Sequence, residues 1–376
     1  MTIRLFKPCV GSEELEAVRG VFERSWLGLG ERVEQFENAW CEHLGCSKSV
    51  AVNSATAALH LSLSLFRFPV GKKVLVPSMT FAASANAALY NRLEPLFIDS
   101  DDHTLGLDLE DLDRKYTKDC VAVIPVHYAG HPVQMNELVS WARHRNLKII
   151  EDCAHTSGST YLDVPLGRWG DLGCFSFEEK KIMTTGDGGM ISGDDEDLMA
   201  PLKAKRWVGI DKDNWKRAAE YTEKNADARH WYYEINLLGY KYNMNDLAAC
   251  IGLCQLQKLS FFFESRRSLI KRYLQNLGHS DRFKPLVPYE PDSYNYQMFG
   301  LRCDRRDELM IFLKNSGIAT GCHYTPLHMQ PLYKVYTGYC PFIEREQARC
   351  ITLPLYPDLE IQEVDYICDR IHDFYK

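Results

Sequence analysis

The stretch Phe175-Ser176-Phe177-Glu178-Glu179-Lys180-Lys181 sets two lysines just past an apolar run, and Thr-Thr-Gly-Asp-Gly-Gly follows at 184–189. Lysines after a strand are ordinarily solvated loop charges. Here a glycine-rich turn lets backbone approach a ligand closely, and another apolar run follows at once, so the lysines sit between two rigid elements. In desolvated or cationic surroundings such a lysine has a lowered pKa and becomes an amine nucleophile. Glu151-Asp152 closes a second apolar run. An acid there can simply cap the next helix, or it can pair with a protonated ring nitrogen and keep a cofactor cationic, as an electron sink requires. The third element is Asn53-Ser54-Ala55-Thr56-Ala57-Ala58-Leu59-His60, a small-residue turn opening a helix. Its Ser/Thr pair reads equally as an N-cap and as a phosphate site made of free N–H groups at the positive end of the helix dipole. Neither G-x-x-x-x-G-K-[ST] nor G-x-G-x-x-G occurs, so the common nucleotide phosphate loops are excluded.

These residues need elements to position them. Short apolar runs at 49–52, 74–77, 95–99, 121–126, 148–152, 174–177 and 189–192 read as strands, several of them continuous, as strands covered on both faces should be. Helical patterns at 56–68, 82–93, 109–116 and 135–145 fall between them. The alternation predicts an α/β domain at 1–258 with a mostly parallel central sheet sandwiched by helices, and ligands at the carboxyl ends of its strands. A polar, charged surface excursion is expected at 209–236. From 259 the pattern changes to a long helical run, an extended segment at 295–303, a helix at 305–316, a loop at 323–330 and a closing amphipathic helix through Ile361, Val364, Ile367, Ile371 and Phe374. That predicts a smaller α+β C-terminal domain at 259–376.

Across 376 residues the hydrophobic share is 45%, the charged share 25% and the formal net charge −7, which is ordinary for a soluble globular chain. Such a balance argues against a dedicated nucleic-acid or acidic-membrane surface. The 13 cysteines are scattered, with no C-x-x-C pair, so neither a zinc site nor a disulfide framework is expected. No run approaches the roughly 20 apolar residues of a membrane span. Scattered thiols and an N-terminus without a signal-peptide pattern predict a cytoplasmic protein.

Taken together, the segments 25–27, 53–59, 76–81, 125–128, 150–155, 175–189, 239–256 and 323–331 resemble the DegT-type (StrS-like) sugar aminotransferases, fold-type I pyridoxal-phosphate enzymes, in the family's order and over nearly the whole chain. The resemblance implies Lys181, not Lys180, as the Schiff-base lysine and Asp152 as the partner of the pyridine nitrogen. It implies His155 near the ring hydroxyl, Phe81 stacked on the ring, and Ala55, Thr56 and Ser176 on the phosphate of pyridoxal 5'-phosphate. Lys241 and Asn243 would reach that phosphate from the other subunit of a homodimer with a shared active site, and His323 and His328 would lie near the sugar. The implied reaction is ping-pong transfer of an amine, from glutamate, to a keto group of a nucleotide-linked deoxysugar. Another keto sugar, an inosose, or a sugar dehydration on the same cofactor are the alternatives, together with a cofactor-binding regulator. The family's deoxygenating branch carries histidine in place of the lysine, and Lys181 argues against it. Three positions depart from the common pattern: acidic Glu178-Glu179, Ile182 in place of asparagine, and Tyr356 in place of histidine.

Overall fold

The computed structural model describes residues 2–210, 232–286, 295–336 and 338–376. Most of the excursion expected at 209–236 lies outside these residues. The described strands are β1 Lys48–Val52, β2 Lys73–Pro77, β3 Glu94–Ile98, β4 Cys120–Val123, β5 Lys148–Asp152, β6 Thr160–Tyr161, β7 Val164–Pro165, β8 Leu172–Ser176, β9 Gly189–Gly193, β10 Phe283–Pro285, β11 Phe299–Cys303 and β12 Cys350–Leu353. Seven of them form the central sheet in the order β1-β9-β8-β5-β4-β2-β3. β9 runs antiparallel to β1 and β8, and every other neighbouring pair is parallel.

Strand periodicity explains why these runs look continuously apolar. Successive side chains point to opposite faces, and both faces are covered. Val74, Val76 and Ile150 pack into one core with Ala58, Leu59 and Leu61 of the helix Ala55–Leu65. Leu75 and Ile149 pack into the other with Phe36 and Trp40 of the helix Glu31–Leu44. Each fully buried side chain of this size contributes about 1.5–3 kcal/mol. The helix Glu31–Leu44 is tied to β1 by polar bonds as well: the Glu37 carboxylate accepts from Ala51 N–H at 2.9 Å and from buried Arg206, which also donates to Ala51 O at 2.7 Å.

The parallel strand expected at 121–126 ends early. β4 stops at Val123 because Pro125 has no N–H to continue the ladder, and Val126 rejoins the sheet only as a single bridge to Asp152. The extended segment at 295–303 is likewise a strand only over Phe299–Cys303. That strand is the centre of the antiparallel sheet β10-β11-β12. One further core packs this sheet against the helices Leu259–Leu277, Arg306–Asn315 and Ile361–Tyr375. The start of the chain joins the same unit, with Ile3 N–H donating to Gly317 O at 2.8 Å and Ala319 N–H to Ile3 O at 2.9 Å. A further apolar cluster, including Met79, Tyr128, Met298 and Leu327, joins it to the large sheet.

Candidate active site

A cavity of about 430 Å³ opens at the carboxyl ends of β2, β5 and β8, and is lined among others by Thr56, Phe81, Asp152, His155, Ser176 and Lys181. This is where a parallel sheet places its ligands. β5 ends in two adjacent carboxylates, and alternation sends them to opposite faces. Glu151 turns into the protein, where its oxygens accept the N–H groups of Gly167, Trp169 and Gly170 at 2.7–2.8 Å and lie 3.2 Å from His127 Nε2. Asp152 faces the cavity. It accepts from Ser84 Oγ at 2.7 Å and from Ala154 N–H at 3.1 Å. Burial nevertheless pushes its carboxyl above the usual carboxylate range. It is a desolvated carboxyl facing a cavity with room for an N–H partner.

Lys181 stands on the turn after β8. Its N–H donates to Glu178 O at 2.9 Å, and Glu178 Oε2 accepts from Lys180 N–H at 3.0 Å, so the acidic pair before the lysines includes the residue that shapes the turn. Ile182 is buried and anchors the far side in the core. Burial lowers the Lys181 ammonium from its ordinary value, and the Asp152 carboxylate partly opposes this. Gln297 Nε2 donates to Lys180 O at 2.5 Å from the small unit, so both parts of the fold grip the turn.

The helix Ala55–Leu65 begins at the cavity wall. Ser54 Oγ accepts from Ala57 N–H at 3.1 Å, and Ala55 and Thr56 face the cavity at the helix start. Asp187 and Gly188 of the glycine run line the cavity, and Gly189 lets β9 approach this turn: a Cβ there would lie 2.5 Å from Ser54 C and 2.7 Å from Ala55 N. Gly189→Val therefore displaces the helix start. Overpacking of this kind costs about 1–3 kcal/mol, so phosphate-dependent cofactor affinity should fall roughly tenfold or more, measured by equilibrium titration. Unchanged affinity would disconnect this turn from the phosphate.

Phe81 is 58% exposed at the cavity mouth, an apolar ring with one face available for stacking. His155 is buried; its Nε2 lies 3.4 Å from Tyr324 Oη, while its Nδ1 has no partner among the described residues. His323 lines the cavity with Nδ1 held 2.9 Å from Thr352 Oγ1. His328 is not brought to the cavity. It sits between Ser78 Oγ at 2.5 Å and Glu344 Oε1 at 2.8 Å and braces the loop from behind. Lys241 and Asn243 also lie outside it: Lys241 Nζ donates to Asn243 Oδ1 at 2.6 Å and sits 3.5 Å from the centre of the Trp207 ring. Sequence reasoning missed Ser84, Gln297 and Tyr324. Only Tyr324 carried a signal, its place beside His323.

Burial lowers three histidines here and nearby, His323 and His60 to about 4 and His131 to about 3. All fall below the ordinary 6.5, so between pH 6.5 and 4 the unfolded chain takes up protons that the folded chain refuses. Stability is therefore present above pH 6.5 and is lost as the pH falls through this window. The urea midpoint should drop between pH 7 and pH 4.5, and His131→Leu should flatten part of that slope. A slope unchanged in His131→Leu would contradict its assignment.

The fold and this cavity define a pyridoxal-phosphate-dependent aminotransferase of fold-type I acting on sugars. The chain belongs to the DegT/DnrJ/EryC1/StrS aminotransferase family, whose profile matches residues 8–372. Spore coat polysaccharide biosynthesis protein SpsC of Bacillus subtilis is 32% identical, over 98% of this chain and 96% of its own. Among solved structures, aminotransferase TlmJ from Streptoalloteichus hindustanus superposes with a TM-score of 0.90 at 31% identity, covering 99% of this chain and 98% of that one. Sugar aminotransferase CalS13 from Micromonospora echinospora gives 0.88 at 28% identity, covering 99% of both chains.

Proposed function

We propose that this enzyme takes the amino group of glutamate and delivers it to the keto carbon of a nucleotide-linked deoxysugar, in two half-reactions at one site. The observation that carries the reading is the meeting of a desolvated lysine, Lys181, and a desolvated carboxylate, Asp152, in one cavity with the free start of a helix. Pyridoxal phosphate supplies an electrophilic carbonyl and an electron-withdrawing ring. The residues present fit it. Asp152, hydrogen-bonded by the neutral Ser84 hydroxyl and Ala154 N–H, suits a cationic ring N–H, the Nδ1 of His155 suits a ring hydroxyl, and Ala55, Thr56 and Ser176 suit a phosphate.

Burial keeps more of the Lys181 amine neutral, so it can attack a carbonyl and later carry a proton at Nζ. Asp152 would keep the nitrogen of a bound ring protonated. Phe81 would cover one face of that ring and exclude water from it. His323, its Nδ1 committed to Thr352, keeps Nε2 for a substrate hydroxyl. Lys241 and Asn243 serve the phosphate of a partner subunit in a cytoplasmic homodimer. The spore-coat polysaccharide role in the name of SpsC supports a sugar product destined for a polysaccharide. Assay of glutamate with keto nucleotide sugars, free keto sugars and inososes tests the reading. An amine formed only on the nucleotide-linked ketone, with every other hydroxyl retained, is expected; preference for an inosose, or loss of a hydroxyl, would replace it.

A further inference from the structure

The helix Glu31–Leu44 ends at Gly45, whose φ of 70° and ψ of 31° reverse the chain. The N–H groups of Gly45 and Cys46 both donate to Cys41 O, at 2.8 and 3.2 Å. This closure folds the residue after the glycine back over the last helical turn, against the residue five positions earlier. A pair of apolar side chains usually fills that contact. Here both are cysteines, their Sγ atoms 3.8 Å apart and each partly exposed.

Their surroundings differ. Cys46 Sγ lies 3.4 Å from Ser49 Oγ, which is 2.8 Å from Ser192 Oγ. Cys46 also borders a surface cavity of about 210 Å³ shared with Arg168 and Asp194. That cavity gives a small reagent access to its sulfur. The Cys46 thiol donates toward Cys41 Sγ at 3.8 Å and Lys48 O at 3.5 Å, while the contact between the two thiols and burial push Cys41 up. Cys46, which lines the cavity, is the cysteine placed to meet a reagent, and Cys41 is held beside it. The pair sits next to the start of β1, whereas the cavity of the active site lies past its other end.

We propose that Cys41 and Cys46 are a reversible two-electron redox site, oxidised by hydroperoxides to an intramolecular disulfide. The Cys46 thiolate attacks a peroxide oxygen; the O–O bond breaks, and the departing oxygen leaves protonated, as water when the oxidant is hydrogen peroxide. Cys41 Sγ then attacks the sulfenic sulfur, the S–O bond breaks, and its oxygen departs as water. Two thiols lose two protons and two electrons, and one hydrogen peroxide becomes two waters. The sulfurs must close from 3.8 Å to about 2.05 Å.

Trypsin should release residues 33–48, between Arg32 and Lys48, as a peptide whose only cysteines are these two. Cofactor-loaded enzyme is treated with hydrogen peroxide, alkylated with iodoacetamide and mapped by mass. The peptide is expected to shift from doubly alkylated to unalkylated and lighter by two hydrogens, and dithiothreitol should reverse it. Cys41→Ser should leave Cys46 as a sulfenic acid that dimedone captures, and Cys46→Ser should leave Cys41 alkylatable. A peptide still doubly alkylated under peroxide that oxidises exposed Cys322 would overturn the proposal, as would higher oxides of Cys46 without a disulfide.

Discussion

Lys181→Ala is expected to lower turnover by about 10⁴-fold or more while leaving cofactor binding weakened but detectable. The size follows from two roles held by one amine. In the proposed mechanism it would anchor the cofactor as the nucleophile and, as the nearest base, move the proton that each half-reaction needs; proton transfer by a positioned group alone contributes on the order of 10²–10⁴. Lys180 also borders the cavity, but it is exposed where Lys181 is desolvated, and its carbonyl, not its amine, is the group engaged by Gln297. Lys180→Ala should therefore lose less than about tenfold. Steady-state rates for the two variants decide the matter, and a Lys181→Ala enzyme within tenfold of the parent would end the assignment.

Asp152→Asn should lose about 10²–10³-fold in kcat, the usual penalty for removing one preorganised charge from a reacting centre. The substitution keeps shape but not charge, and asparagine can serve only one of the two donors that Asp152 now accepts, Ser84 and Ala154. The cofactor-free fold should change little. A carboxyl whose folded pKa is raised destabilises the fold above that pKa, so removing its charge offsets the lost hydrogen bond. Rate loss with an unchanged denaturation midpoint is the expected signature. A large drop in the midpoint with a normal rate per folded molecule would make Asp152 structural.

Much of this site was legible because its residues follow strands whose apolar runs are unmistakable. Asp152 ends β5 and Ser176 ends β8, and the turn to Lys181 is written in adjacent residues. The second strand face could not be read so directly: Glu151 beside Asp152 is chemically its equal, and only alternation along β5 sends one to the cavity and the other to three backbone N–H groups. Gln297 and Ser84 gave no signal because they reach the site through tertiary packing. His328 looked like His323, five residues away in the same loop, yet its two ring nitrogens are consumed by Ser78 and Glu344. The helices at Ser12–Glu23 and Glu31–Leu44 also went unread, since their buried stripes are narrow and interrupted by Glu14 and Glu37, acids held by specific partners.

The most direct test is the visible absorption spectrum of the purified protein with pyridoxal phosphate, before and after glutamate. The account predicts a visible band of lysine-linked cofactor that is absent in Lys181→Ala and that glutamate bleaches in the parent. A band that persists in Lys181→Ala, or no band at all in the parent, would contradict it.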